Sequence, residues 1–381
     1  MAKTIVEQLK GRSTCLVPKL NVALVYNMKR VDDDEVSDNL SGRSNGQDSD
    51  IATVSQTKLQ KTKDDTYAEW DTEDTILAVK TALEQYHTVT LIEADEEAFP
   101  KLLQVQPDIV FNIAEGLRGP SREAQIPAML EMLGIPYTGS DPLTLGICLD
   151  KSRAKEILSH HKIPTPAFAV IDSIDDLQSF SIALPCIVKP LHEGSSKGVL
   201  NASVVRTTEE LRNQVERIIN EYNEPALVEK FLPGREFTVA LLGDGNSVRV
   251  LPIIEIRFDL LPYGANPIYS FEAKWEWDTL EHPLGEMYTC PAAIDKQLET
   301  QIQDVSLRAF RVLRCHDWCR IDLRLDENNV PNVIELNPLP GILPNPNDHS
   351  AFPMAARNAG ISYDSMLHEV LISAINRHGL A

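Results

Sequence analysis

Long apolar runs are missing from this chain of 381 residues. None approaches the ~18 consecutive apolar residues of a membrane-spanning helix, so no membrane partner is expected. Positive charge is scarce. Lys and Arg number 36 against 56 Asp and Glu, a formal net charge of −20. Such a field repels a phosphate backbone and anionic lipid alike, which excludes nucleic acid as a broad partner and leaves room only for a local cationic pocket. Cysteine is thinly used: Cys15, Cys148, Cys186, Cys290, Cys315 and Cys319 lie scattered rather than clustered as in a disulfide scaffold. The first residues, MAKTIVEQLKGRSTCLVPKL, hold neither the apolar core nor the small-residue cleavage site of a secretory signal. A cytoplasmic chain is the expectation. Two phosphate signatures are absent as well, G-x4-G-K-[ST] and a helix-opening G-x-G-x-x-G, so a bound nucleotide needs another cradle.

What is present is an ordinary globular composition, 43% hydrophobic and 24% charged, with length for two or three domains at roughly 100–200 residues each. Residues 1–19 read as a tail. Asn21–Tyr26 (NVALVY) is a short apolar run between polar flanks, hence a buried strand. From Val31 to Thr75 there are 13 acidic and 4 basic residues, and low hydrophobicity with that charge makes 31–66 an expected disordered insertion. Asp71 or Thr72 is placed to cap the helix TILAVKTALEQY. Strands at Thr88–Glu93 and Asp108–Ile113 alternate with helices near Glu123–Leu133 and Lys151–His160, the pattern of an open α/β domain over 20–147.

After IPTPAF a central unit, 148–236, carries strands Cys186–Lys189, Val204–Val205 and Ala226–Lys230 and a helix Thr207–Tyr222. A C-terminal unit, 237–381, follows with long strands (FTVALLG, SVRVLPIIEIRF), a helix Asp295–Cys315 and the strand pair CRIDLRLD/NVIELN. Cys315-His316-x2-Cys319 falls in a stretch expected to be helical, where cysteine is commonly a small buried hydrophobe; metal or redox work is the alternative.

Two segments carry chemistry. His192-Glu193-Gly194-Ser195-Ser196-Lys197-Gly198-Val199 follows the strand that ends in Lys189-Pro190, and its glycines and serines make a turn able to wrap phosphate oxygens. Near the C-terminus, Arg320-Ile321-Asp322 and Glu335-Leu336-Asn337 alternate polar with apolar residues, so a hairpin would bring Asp322, Glu335 and Asn337 onto one face. Three oxygen ligands suit Mg²⁺. The alternative, a solvated hairpin, explains the carboxylates poorly, because their apolar neighbours point to burial and hence to a partner.

These residues bring the chain into register with a known family. Gly134-Ile135-Pro136-Tyr137-Thr138-Gly139-Ser140, Asp150-Lys151, Lys189-Pro190, Glu193-Gly194-Ser195-Ser196-x-Gly198-Val199 and Glu229-Lys230 come first. Pro233-Gly234-x-Glu236-Phe237-Thr238-Val239, Glu272-Ala273-Lys274, Cys290-Pro291-Ala292, Arg320-x-Asp322, Glu335-x-Asn337, Pro340-Gly341 and Pro353-Met354-Ala355-Ala356-Arg357 continue it. In that order the chain resembles the D-alanine–D-alanine ligases of the ATP-grasp superfamily, over roughly Asp108 to Leu367.

The resemblance implies a mixed α/β ATP-grasp fold with an N-terminal open α/β pre-ATP-grasp domain. It implies an ATP-dependent carboxylate–amine ligase of peptidoglycan-precursor type, acting on small amino acids through an acyl phosphate. A homodimer is left open. By the match, Lys151 and Lys189 hold the α/β-phosphates and Lys274 approaches the γ-phosphate. Loop 193–199, with Glu193, Ser195 and Ser196, covers the phosphates. Glu229 and the backbone of Lys230–Leu232 take the adenine, and Glu236 takes the ribose hydroxyls. Asp322, Glu335 and Asn337 bind Mg²⁺, two ions, with Mn²⁺ as an alternative. Arg320 and the Gly341 N–H stabilise the tetrahedral intermediate, and Ser350 meets the second substrate's carboxylate.

The departures fall on the first-substrate side. The family's early Glu-Val-Ser segment is absent, and Glu69, otherwise part of a helix-capping region, is the residue that could stand in for its glutamate. The family's His-Gly…Gly-Glu-Asp-Gly run reads Glu115-Gly116-Leu117-Arg118-Gly119-Pro120-Ser121-Arg122-Glu123. Trp275 stands where the family has tyrosine, and an indole accepts no hydrogen bond. The expectation is a rebuilt first-substrate pocket. Its alternatives are a paralogue joining a different acid and amine, a nucleotide-binding regulator without turnover, and a scaffold acting through the insertion.

Overall fold

Parallel pairing around a central strand builds the first unit. The computed structural model describes residues 19–29, 67, 69–277 and 287–380. The tail (Lys19 apart), the acidic insertion 31–66 and the side chain of Trp275 lie outside the described residues. β1 (Asn21–Tyr26) pairs in parallel with β2 (Thr88–Glu93) on one side and β3 (Ile109–Asn112) on the other. Val22, Leu24 and Tyr26 face one core, against Ile76, Val79 and Leu83 of α1 (Glu73–Glu84). Ala23 and Val25 face the other, against α2 (Ala98–Val105) and α3 (Gln125–Leu133). A strand buried on both faces reads as a continuous apolar run, which is how NVALVY reads. Thr72, not Asp71, caps α1, its hydroxyl accepting from the Thr75 N–H at 3.4 Å.

The second sheet is antiparallel, in the order β4 (Phe168–Ile171), β7 (Ala226–Lys230), β5 (Cys186–Pro190), β6 (Val204–Val205). One face packs on α6 (Thr208–Tyr222) through Cys186, Val188, Ala226 and Val228 against Leu211, Val215 and Ile218. Lys189 and Glu229 alternate with those residues and so project from the opposite face. The third sheet runs β11 (Tyr288–Thr289), β10 (Ile254–Ile256), β8 (Glu236–Leu242), β12 (Trp318–Leu325), β13 (Pro331–Asn337), with β9 (Arg249–Val250) paired to β8. Cys319, Ile321, Leu323 and Leu325 pack on α7 (Lys296–Val312), while Arg320, Asp322 and Arg324 face away from it into a cavity.

Several boundaries differ from expectation. SVRVLPIIEIRF is two strands rather than one, since Pro252 has no N–H to give the ladder. Helix α7 stops at Val312, so Cys315 lies in the turn beyond it and Cys319 in β12, both buried in the apolar core. Among the described residues no three or more His, Cys, Asp or Glu side chains are arranged to hold a metal. Strand β4 and the helices α4 (Pro142–Leu149), α8 (Ala351–Asn358) and α9 (Tyr363–Arg377) had no counterpart in the sequence reading. Helix α5 (Lys151–His160) sends Ala154 and Leu158 into the core beneath the third sheet. Helices α8 and α9 return to the first sheet, where Trp318 meets Phe111 edge-on at 5.7 Å and Phe352 at 5.9 Å.

The seam between α1 and α9 holds two histidines. Tyr86 stacks on His368 at 4.1 Å, with His87 behind at 5.7 Å, and His87 Nε2 and His368 Nδ1 are buried without hydrogen-bond partners. Burial, and for His87 also the nearby His368 and Lys19, holds both below their ordinary value of 6.5. The folded state therefore takes protons less readily than the unfolded one, and stability is lost as pH falls below about 6.5. Melting temperature should drop from about pH 7 to pH 5, and less steeply in His368→Gln. Equal slopes would contradict this seam as a source of acid sensitivity.

Candidate active site

A cavity opens between the polar faces of the second and third sheets. Into it project Lys151 from the start of α5, Lys189 from β5, Glu229 from β7, Glu236 from β8, Arg320 and Asp322 from β12, and Glu335 and Asn337 from β13. Glu193, Ser195, Ser196, Lys230, Leu232, Lys274, Gly341 and Ser350 line it too, as do Glu69 and Glu115 at the first-unit end. Every site residue expected from sequence is thus in one cavity, Trp275 excepted because its side chain lies outside the described residues.

At the centre of the second-sheet wall, Glu229 is held between two lysines. Its Oε1 is 2.6 Å from Lys155 Nζ and its Oε2 is 2.6 Å from Lys189 Nζ, and all three side chains are buried. Burial alone would raise the carboxyl's pKa, but the two ammonium groups outweigh it and hold Glu229 near about 2. Burial pulls Lys155 down to about 8 despite Glu229. Lys151 donates to the Glu193 carbonyl at 2.5 Å and stands 3.9 Å from Glu335. Burial, then Arg320, lowers Lys274 to about 8; it sits in the helical turn Ala273–Trp277.

Opposite, β12 and β13 set Asp322 directly across from Glu335 and Arg320 across from Asn337. The Arg320 guanidinium grips Asp322 at 3.1 and 2.9 Å and reaches within 3.9 Å of Glu335. Asn337 Nδ2 donates to Asp322 at 3.4 Å. Burial, and after the opposing effect of Arg320 the facing Glu335, keeps the Asp322 pKa above its ordinary value. Two facing carboxylates and an amide make an oxygen-rich set that a hard divalent cation would relieve, and a set open to phosphate and water rather than a closed cage suits Mg²⁺. The residues fit that ion.

Loop 193–199 is built for close approach. Ser195 and Ser196 have φ of 50° and 62°, and the Ser196 hydroxyl donates to the Tyr269 carbonyl at 2.9 Å. Gly198 (φ 69°) cannot be replaced without strain, since a Cβ there would lie 2.4 Å from Pro190. At Gly194 a Cβ would meet Glu69 Oε1 at 2.3 Å. Glu69 is therefore no helix cap. It pairs with Arg122 at 2.9 Å and Lys197 at 3.1 Å, while Lys197 also holds Glu193 at 2.6 Å. These cations lower the Glu69 pKa against the rise that burial would cause. Beyond them, burial and then neighbouring Glu123 push Glu115 well above the ordinary range, and burial with Glu69 raises Glu123 to about 7. At the other end, the Ser350 hydroxyl donates to the Gly341 carbonyl at 3.2 Å and accepts from the Leu343 N–H at 3.1 Å.

Sequence reasoning missed Lys155, Lys197, Glu123 and Arg324, all but Lys155 lining the cavity. Signals existed. Lys155 is four residues after Lys151 on one helix face, and Arg324 is two after Asp322 on one strand face.

The family model described as D-ala D-ala ligase C-terminus matches residues 157–372. The uncharacterized protein y4sG of Sinorhizobium fredii is 38% identical over 77% of this chain and 84% of its own length. The D-alanine–D-alanine ligase of Bordetella petrii is 34% identical over 74% of this chain and 81% of its own. Among solved structures, the D-alanine–D-alanine ligase of Bacillus anthracis complexed with ATP superposes with a TM-score of 0.62 at 21% identity, covering 95% of this chain and 99% of that one. The VanG D-Ala:D-Ser ligase of Enterococcus faecalis gives 0.63 at 19%, covering 93% and 99%. At such identity these two speak for the fold.

Lys155→Met should cost about 3 kcal/mol of stability, because one oxygen of a buried carboxylate loses its cation. The same carboxylate sets an acid dependence. With Glu229 held near about 2 against an ordinary 4.5, its contribution is present above about pH 4.5 and lost as pH falls toward 2. Urea unfolding of wild type and variant from neutral to acid pH checks both; a variant as stable as wild type throughout would contradict them.

Proposed function

This chain belongs to the D-alanine–D-alanine ligase family, ATP-dependent ligases that form C–N bonds, and we propose that it joins two small amino acids through an acyl phosphate. The observation that carries the reading is the convergence of Lys151, Lys189, Lys274, Arg320, Asp322 and Glu335 in one cavity between two sheets. Moving a phosphoryl group is mainly a matter of positioning charge, and this is the charge set the reaction needs.

Lys151 and Lys189 hold the α/β-phosphates, with Lys189 aimed by Glu229. Loop 193–199 covers them through its backbone and through Ser195 and Ser196. The backbone of Lys230–Leu232 takes the adenine and Glu236 the ribose. Lys274 approaches the γ-phosphate as a carboxylate oxygen of the first substrate attacks phosphorus and ADP leaves. The amine of the second substrate then attacks the acyl carbon. Arg320 and the Gly341 N–H hold the oxyanion of the tetrahedral intermediate, and phosphate departs as the C–N bond is kept. Asp322, Glu335 and Asn337 would hold Mg²⁺, or Mn²⁺ in its place, which when bound supplies charge neutralisation at the transferring phosphate. Ser350 stands at the second substrate's carboxylate. The same reading makes the chain cytoplasmic and its product a peptidoglycan precursor.

The first-substrate pocket supports a variant of that reading. Glu69 is neutralised by Arg122 and Lys197, so the carboxyls left for an incoming ammonium are Glu115 and Glu123, raised by burial and then by neighbouring carboxylates, Glu123 for Glu115 and Glu69 for Glu123. The first acid is then accepted differently from a typical family member. Unpaired buried polar groups discriminate strongly between substrates.

Two measurements check these assignments. Asp322→Ala and Glu335→Ala should each abolish phosphate release from ATP, Mg²⁺ and amino acids while the circular dichroism spectrum stays that of wild type; near-normal turnover in both would sink the metal assignment. Initial rates against D-alanine, fitted with two Michaelis constants beside a panel of D- and L-amino acids, should show weak use of D-alanine at the first position or a better first acid. Tight D-alanine use there with no better alternative would refute the rebuilt pocket.

A further inference from the structure

Arg324 sits in the cavity wall with no part in the scheme above. Its side chain is 5% exposed. The guanidinium lies over the Phe231 ring at 4.9 Å and over the Phe258 ring at 5.2 Å, so aromatic rings pack against it at two places. Its Nη1 donates to Glu236 Oε2 at 2.9 Å. Its Nε and Nη2 are buried without hydrogen-bond partners.

A guanidinium has five N–H donors, and leaving buried donors unpaired is unfavourable. An apolar side chain of similar length would pack between those rings without that penalty. A residue that is poor for stability at a cavity wall is expected to be there for the cavity. The register says what it serves. Arg324 is the direct cross-strand partner of Glu236 in the β8–β12 pair, and both line the cavity beside Leu232. Among the described residues Arg324 alone is paired with the Glu236 carboxylate. One carboxylate oxygen is thereby tied down, and the other is left as an acceptor at the cavity.

We propose that Arg324 is the positioning residue that fixes Glu236 as an acceptor for the vicinal hydroxyls of a ribonucleotide, so that the β8–β12 pair sets the choice of ribose over 2′-deoxyribose. This rests on the nucleotide reading of Glu236 given above. Arg324 need not touch the nucleotide. Held by the two rings, it fixes the direction of the carboxylate, and a hydroxyl donor lost or misaligned at a charged acceptor weakens binding by about tenfold or more.

The test compares Michaelis constants for ATP and 2′-deoxy-ATP in wild type, Arg324→Met, Arg324→Lys, Glu236→Gln and the double variant R324M/E236Q. Wild type should prefer ATP. In R324M the constant for ATP should rise about tenfold, that for 2′-deoxy-ATP should change little, and kcat should stay within about threefold. R324K, which keeps the charge without the planar fork, should recover part of the loss. The double variant should be no worse than E236Q, as for two residues acting through one contact. Unchanged ATP use in R324M and R324K, equal loss with both nucleotides, or additive effects would overturn the inference. If E236Q leaves the preference intact, the ribose role of Glu236 falls with it; if E236Q abolishes the preference and R324M does not, this inference fails alone.

Discussion

A carboxylate removed from water must be neutralised by neighbours or take up a proton, and Glu229 is neutralised twice, by Lys155 and by Lys189. The three side chains come from different places. Lys155 belongs to a helix anchored beneath the third sheet, whereas Lys189 and Glu229 stand on adjacent strands of the second. The buried triad therefore does more than satisfy charges. It joins the walls of the cavity and directs Lys189 inward, where breaking one pair would leave a charge without water or partner. The facing wall follows the same logic in a different form, with Arg320 gripping Asp322 across from Glu335.

Charge is distributed unevenly in this molecule. The chain carries a net charge of −20, yet Lys151, Lys189, Lys197, Lys274, Arg320 and Arg324 gather around a single cavity. A strongly acidic protein can still concentrate cations where they are shielded from solvent, because a low-dielectric wall strengthens each pair. At the first-unit end carboxylates gather as well. Glu69, Glu115 and Glu123 meet there, and burial, with repulsion from Glu123 on Glu115 and from Glu69 on Glu123, pushes the pKa values of Glu115 and Glu123 upward. The cluster of Glu69, Arg122, Lys197 and Glu193 links that end to the loop over the opposite side.

Much of the fold was legible because simple patterns were uninterrupted. NVALVY had to be buried on both sides, Thr207 and Glu210 form a capping box ahead of α6, and RIDL against IELN alternates as a half-buried hairpin must. What escaped reading was set by tertiary contact. The strand Phe168–Ile171 is short and only partly buried, so nothing in its composition separates it from a loop. Cys315 and Cys319 sat in an apolar stretch that periodicity extends as helix, while packing ends α7 at Val312 and starts β12 at Trp318. In the site, motif spacing brought Asp322, Glu335 and the lysines forward, but a lysine on a helix face looks like a surface lysine until its buried carboxylate is seen. Lys155 is that case. Glu69 is another, its role as partner to Arg122 and Lys197 arising from residues 53 and 128 positions away.

The central claim is that a substrate carboxylate is activated by phosphorylation in this cavity. The direct measurement supplies ATP, Mg²⁺ and the best-used amino acid of the panel labelled with ¹⁸O in its carboxylate, then reads the mass of the released phosphate. An acyl phosphate must pass one carboxylate oxygen to phosphate when the amine displaces it, so phosphate carrying one ¹⁸O is predicted, in step with amide formed. Unlabelled phosphate, with all the ¹⁸O retained in the amino acid or its product, would contradict the account.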